Sequence, residues 1–304
     1  MAYVIGGGHE QHKVSGQANV VGNNGQGKKN FLRGRRVIVT CLLALAAGAS
    51  LVWLATPDVS PLAQGFVQVT QWQKQRGRAE VRIGPGSPDW VDFSQISLHL
   101  IHAVVAAEDN RFFSHHGIDW VAIEESLRFN FEEQRYARGA STITQQVIKL
   151  ALLSPEKSLW RKFREALGAL RLEEYLDKEQ ILAWYLNLAD FGGGIYGVRK
   201  AAEFYFQTSP SLLTIKESIH LALVLPSPNA WSIGLKKKKL TPFGRQRFSW
   251  IARQMLSQRF ITETLFAQTL ATGDFGEPIQ SDPEHEKDHL EFVDSESREP
   301  GNGD

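Results

Sequence analysis

The stretch Ala106 to Asp119, A-A-E-D-N-R-F-F-S-H-H-G-I-D, ends an apolar run on a carboxylate and follows it with aromatic, histidine and glycine residues. Upstream, Ile101, Val104 and Val105 fall at i, i+3 and i+4, and Glu108 takes the i+7 slot of the same helical face, where a core residue belongs. A glutamate held there is partly desolvated, its pKa is raised, and it suits proton transfer near neutral pH. The same letters also describe a helix that stops at an exposed surface glutamate, and both readings stand at this point.

Helical spacing dominates the chain around that stretch. Apolar periodicity predicts helices over residues 96–107, 120–131, 142–152, 159–176, 178–188, 196–206, 214–225 and 243–270, with strands scarce and no alternating β-α unit. The expected fold class is therefore mostly α. Residues 56–88 read as a connector, with a short alternating piece near residues 64–70 and a Gly-Pro-Gly turn at residues 84–86.

Toward the N-terminus, residues 1–36 read as a leader whose first thirty positions, rich in Gly, Asn and Gln, predict disorder. Gly22 to Lys28 fits G-x-x-x-x-G-K, but Lys29 stands where a phosphate loop needs Ser or Thr, and no strand precedes it. Residues 37–55 are nineteen positions without a charge, nearly enough at roughly 1.5 Å per residue to cross a ~30 Å hydrocarbon layer. One transmembrane helix is expected there. Lys28, Lys29, Arg33, Arg35 and Arg36 precede it and no Lys or Arg occurs in residues 56–73, so the N-terminus is expected in the cytoplasm and the rest outside. A cleaved signal peptide competes with this reading, although its apolar region usually runs only about 7–15 residues.

Composition narrows the classes further. With 304 residues, 42% of them hydrophobic, the chain can bury a sizeable core. Cys41 is the only cysteine, which excludes a disulfide framework within the chain, and the nine histidines show no H-x-x-x-H pair on an evident helix, so no metal centre is expected. The net charge of +1 hides an imbalance: residues 274–304 hold eleven Asp/Glu against two Lys/Arg, and that −9 leaves +10 for the remainder. The tail from residue 271 reads as acidic and disordered, and the rest favours anionic partners.

Three further constellations carry chemistry. Arg161, Lys162 and Glu165 lie at i, i+1 and i+4, on or near one helical face, with Phe163, Ala166, Leu167 and Leu170 expected to cover the opposite, core side. Two cations beside a carboxylate can bind a diphosphate, or can be an ordinary salt-bridged surface. Gly139 to Lys149, G-A-S-T-I-T-Q-Q-V-I-K, is a row of hydroxyls and amides ending in a cation, suited to sugar and phosphate oxygens; Ser141 or Thr142 as N-cap with Gln145 near N3 also makes it a capped helix start. Gly192 to Gly197, G-G-G-I-Y-G, matches a dinucleotide pattern, but the helical segment before it points to a tight turn between helices.

Taken together, these blocks resemble the peptidoglycan glycosyltransferases of family 51, in the monofunctional membrane-anchored branch. Glu108, Asp109, Phe112, His115 and Gly117 match E-D-x-x-F-x-x-H-x-G. Gly139, Ser141, Thr142, Ile143, Thr144, Gln145 and Gln146 match G-x-S-T-I-T-Q-Q, with Lys149 three positions on. Arg161, Lys162 and Glu165 match R-K-x-x-E, 57 positions from Glu108 to Glu165. A fourth block spans residues 181–206, and a looser fifth surrounds Glu217, Ala222, Leu225, Pro226 and Pro228. Asp190 stands where two-activity relatives often have Tyr and monofunctional ones an acid; Ala140 replaces a common Gly and Ile233 a common Pro. Ser154 to Lys157 fits S-x-x-K, but no K-T-G accompanies it, so no transpeptidase domain is expected.

The resemblance implies a single lysozyme-like globular domain with a small apolar jaw, here residues 89–270, that polymerises lipid II and releases undecaprenyl diphosphate. It implies Glu108 and Glu165 as catalytic residues, and Asp109, Phe112, His115, Ser141, Thr142, Gln145, Gln146, Lys149, Arg161 and Lys162 as substrate-binding ones. It implies lipid II, the growing glycan and the membrane as partners, with other wall-synthesis proteins and a divalent cation at the diphosphate left open and no nucleic acid expected. The implied location is the bacterial inner membrane with the catalytic domain in the periplasm. A lysozyme-like wall hydrolase and an inactive scaffold are the alternatives, and the first would not need the Arg161, Lys162 and Lys149 group.

Overall fold

A computed structural model describes residues 24–271 apart from residues 74–76, 133–138, 155 and 157; for residues 24–38, 72 and 73 it describes the backbone alone. Most of the expected leader, the acidic tail and two positions of the S-x-x-K match lie outside the described residues. The chain divides into two units, residues 1–53 and residues 54–304. The first contains most of helix α1 (Asn24–Ala55), which begins well before the apolar run and takes in the cationic residues expected in the leader. Its side chains from Val39 to Leu54 are exposed. Among the described residues no helix is long and apolar enough to cross a membrane.

The second unit opens with the short helix α2 (Ser60–Ala63) and an antiparallel hairpin, β1 (Val67–Gln73) and β2 (Gly77–Ile83), paired in register from Val67↔Ile83 to Gln73↔Gly77. This corrects the expected connector. The period-2 signal was short but sufficient: Val67, Val69 and Gln71 are buried, and β1 packs against α5 (Ile143–Leu152), while Thr70 on the outer face donates to Glu80 Oε1 at 2.6 Å.

The remaining elements are helical: α3 (Leu98–Glu108), α4 (Trp120–Glu132), α5, α6 (Leu159–Leu172), α7 (Lys178–Leu188), α8 (Val198–Phe206), α9 (Ile215–Val224), α10 (Pro228–Lys236), α11 (Pro242–Ser257) and α12 (Glu263–Ala271). Their starts follow from capping. Thr142, Asp177 and Thr214 each form a capping box with the Gln or Glu at N3, satisfying backbone donors that the first helical turn leaves open. Helix α7 is buried at every position from Ile181 to Leu188, as expected of a helix apolar all round, and α5 packs on it; α9, also buried along most of its length, packs on α3. Asn187 ties the centre together, accepting from Val91 N and donating to Val91 O at 2.9 and 2.8 Å.

Helix α6 reverses the expected orientation. Its buried residues are Glu165, Gly168, Ala169 and Leu172, whereas Leu159, Trp160, Phe163 and Leu170 are exposed, Leu159 by 91%. The reason is close approach to α5: a Cβ on Gly168 would stand 2.8 Å from Ile148 and 2.7 Å from Pro57, so the small-residue face is the one that fits. The apolar stripe is left facing out. Two other differences are local. The expected helix 243–270 breaks after Ser257, where Arg259 adopts φ 60°, and α10 forms in a stretch where no helix was expected. The glycine run is the tight turn expected, with Gly192, Gly193, Gly194 and Gly197 all at positive φ. A side chain on Gly192 would collide with the Pro228 carbonyl at 2.3 Å, so this turn seats α10.

Candidate active site

Glu108 is the last residue of α3, half-buried, at the helix end where the dipole disfavours a negative charge. Burial pushes its pKa up; the Gln146 hydrogen bond and the charges of Arg247 and Lys149 pull the other way, and Asp109 adds to the rise. The open choice between a desolvated and an exposed glutamate thus resolves toward the first. Gln146 Nε2 donates to Glu108 Oε2 at 2.8 Å, and Tyr185 donates its hydroxyl to Gln146 Oε1 at 3.3 Å. An ionised Glu108 can only accept, so the amide turns its NH2 end to the glutamate and leaves its Oε1 to accept from the phenol. Burial first, then the Glu108 and Asp109 charges, push the Tyr185 pKa far up, so this donor keeps its proton.

Glu165 lies in α6 and is 2% exposed. Lys162 Nζ donates to Glu165 Oε2 at 2.8 Å and to Ser141 Oγ at 2.6 Å, bridging the start of α5 to α6. Arg161 Nε stands 3.1 Å from Glu165 Oε1, an ion pair in which the N–H does not point at the oxygen. Lys149 links the two glutamates. Its surface is open to solvent, yet it sits deep enough among protein atoms that desolvation lowers its pKa; Glu165 and Glu108 oppose the shift, while Lys162 and Arg161 reinforce it. Three cations therefore gather around one buried carboxylate, and one of them also feels the second glutamate.

Other expected site residues stand behind this surface. Thr142 and Gln145 are buried in the capping box of α5, and Thr142 also donates to Gly117 O at 2.6 Å. Asp109 accepts from Ile143 N at 2.9 Å and faces His115 Nε2 at 3.0 Å, clamping the first motif onto the second. Phe112 is wholly buried, with the Lys178 ammonium 4.4 Å from its ring centre. Asp109, His115 and Asp119 approach closely enough for their ligand atoms to lie within 4.8 Å of one another, a grouping that sequence spacing did not show. Their carboxylate oxygens are already engaged: Asp119 takes the Arg111 fork at 2.9 Å and the Ala122 N–H. Burial alone would raise the Asp119 pKa, but that fork and N–H hold it below the usual carboxylate range. The group is a polar clamp beneath the site.

Sequence reasoning missed two contributors. Tyr185 was visible in the fourth block but carried no signal for its partner. Arg247, in α11, lies outside every motif, and only the packing of α11 on α3 brings its charge to Glu108.

A mostly helical domain in which a half-buried glutamate lies within reach of the charge of a lysine that belongs to the cation cluster of a second, buried glutamate defines an acid-base centre suited to substrates that carry anionic groups. The family model described as Transglycosylase matches residues 78–256, and the chain belongs to that family. A biosynthetic peptidoglycan transglycosylase of Shewanella denitrificans is 44% identical over 171 residues, covering 56% of this chain and 72% of the relative. Proteins of the same name from Paraburkholderia xenovorans and Aromatoleum aromaticum are 34% and 36% identical over 228 and 208 residues, covering 71% and 67% of this chain and 92% and 89% of theirs.

Proposed function

We propose that this protein polymerises lipid II into peptidoglycan glycan strands and releases undecaprenyl diphosphate. The observation that carries the reading is the division between the glutamates: Glu108 is desolvated and held by a neutral amide, Glu165 is paired with cations. Glu108 takes the proton from the GlcNAc 4-hydroxyl of the incoming lipid II as that oxygen attacks the anomeric carbon of the growing chain, with inversion. The bond to the diphosphate breaks, and Lys149, Arg161 and Lys162 receive the negative charge that develops there, with Glu165 holding two of them in place. A divalent cation accompanying the diphosphate would add to these cations. Asp109, His115, Thr142 and Gln145 support the site by fixing α5 rather than by meeting substrate. Detergent-solubilised full chain incubated with labelled lipid II should yield glycan polymer. Shortened wall fragments without polymer would indicate a hydrolase, and no change in either substrate would indicate a scaffold.

The membrane part of the reading rests on two apolar surfaces. Residues 37–55 carry no charge, and the described α1 side chains are exposed all round, which suits a lipid environment. In the second unit, Trp120, Leu127 and Phe131 of α4 and Leu159, Trp160 and Phe163 of α6 are exposed, and we assign these apolar side chains to the jaw that would meet the bilayer surface from which lipid II is drawn. The chain is then a single-pass inner-membrane protein with a cytoplasmic N-terminus and a periplasmic catalytic domain. Alkaline phosphatase fused after Asp304 should be active, and green fluorescent protein fused there by the general secretion route should be dark. The reverse pattern would put the domain in the cytoplasm and overturn this topology.

A further inference from the structure

Arg247 belongs to no motif, yet its guanidinium is built into the neighbourhood of Glu108. Helix α11 packs on α3, and Asn110, two residues past Glu108, donates to Gln254 Oε1 at 3.4 Å, two helical turns along α11 from Arg247. The guanidinium carbon stands 4.2 Å from the centre of the Trp250 ring, a cation–π contact that engages the face of the group and spends none of its N–H donors. Among the described residues no hydrogen bond or ion pair engages its N–H edge, and its nitrogens are not sealed from solvent. The charge that acts on it is that of Glu108, beyond ion-pair contact. A half-buried guanidinium offers five donors and cannot shed its charge, so these donors need acceptors that the described residues do not supply.

The cations of α5 and α6 already gather around Glu165. The proposed reaction brings together two lipid-linked molecules, each bearing a diphosphate, and a second diphosphate needs a second cationic pole. Resting on that reading, we propose that Arg247 is a substrate-binding residue whose free N–H edge takes up diphosphate oxygens of a lipid-linked substrate beside Glu108, separately from Lys149, Arg161 and Lys162. Guanidinium geometry matches phosphate oxygens through paired hydrogen bonds, which an ammonium cannot reproduce.

The test uses full-length protein in detergent and undecaprenyl diphosphate, a probe with the diphosphate but no sugar, peptide or carboxylate. Arg247→Gln should weaken its binding about tenfold, the order expected from one lost charge-assisted hydrogen bond, and should raise the KM for lipid II by a similar factor. Arg247→Lys should recover part of the binding but not all of it. Unchanged binding of the probe by both variants overturns the proposal. So does weaker binding of lipid II alone, which would assign Arg247 to a peptide carboxylate. Circular dichroism decides whether the Gln variant is folded; if it is not, the Lys variant carries the test, and wild-type affinity in it overturns the bidentate contact. A wild-type protein that binds the probe but makes no polymer would instead refute the function reading, leaving the Arg247 comparison intact.

Discussion

Glu108→Gln should lower the turnover of lipid II by about 10²–10⁴-fold, the usual contribution of a positioned general base, while the KM changes little. The substitution is nearly isosteric, and the Gln146 amide can still donate to the new carbonyl oxygen as it does to Glu108 Oε2 at 2.8 Å. What is removed is the proton acceptor. A variant that keeps a third of its activity has not lost the base, and that result would move the role to Glu165. The pH profile gives an independent reading. A base works when ionised, so wild-type kcat/KM should fall as pH drops through the Glu108 pKa, and burial sets that fall at a higher pH than for an ordinary glutamate. The residual activity of the variant should lack this limb.

Stability supplies the sign that separates a functional glutamate from a structural one. Glu108 has a folded pKa above its unfolded value, so the folded state binds the proton more tightly. Between those two values stability declines as pH rises, and above them the ionised carboxylate is a net liability to the fold. At pH 7 the Glu108→Gln variant should therefore melt no lower than wild type. That combination, lost turnover with stability kept, is the signature of strain held for catalysis.

Where the sequence was legible, local chemistry decided the structure. The expected helix at residues 178–188 coincides with α7, because Asp177 and Gln180 close a capping box before it and Ala189 ends it. Thr142 with Gln145 did the same for α5, and the glycine run could hardly be other than a turn. Helix α10 also carried a start signal, Pro228 at its first turn, but its short length and the lysines after it masked the pattern. The face of α6 was not legible in this way. Periodicity shows that an apolar stripe exists, but a membrane and a protein core select the same residues, and only the fit of Gly168 and Ala169 against α5 decides which side turns inward. The site shows a similar limit. The motifs located both glutamates, whereas Tyr185 and Arg247 reach Gln146 and Glu108 from other helices, and no spacing along the chain encodes such meetings.

Glu165→Gln should fail in the opposite way. Glu165 is 2% exposed, and its two oxygens face Lys162 at 2.8 Å and Arg161 at 3.1 Å. Replacing it leaves those cations, with Lys149 near them, without their common counter-ion. Breaking a fully buried pair costs about 3–5 kcal/mol, but the Lys162 side chain is 47% exposed and solvent screens part of the loss. A cost of about 1–2 kcal/mol is expected after that discount, which should lower the melting temperature by roughly 2–8 °C in a domain of this size. Catalytically, the cations remain but are no longer held by the carboxylate. Turnover should fall about tenfold or more, and the KM for lipid II should shift with it, because the same groups bind the diphosphate before and during its departure. Lys162 should also lose its fixed approach to Ser141 Oγ, now 2.6 Å away, loosening the seam between α5 and α6. A Glu165→Gln protein with wild-type stability and unchanged KM, deficient only in turnover, would show that Glu165 acts on the reacting bond itself rather than through the cations.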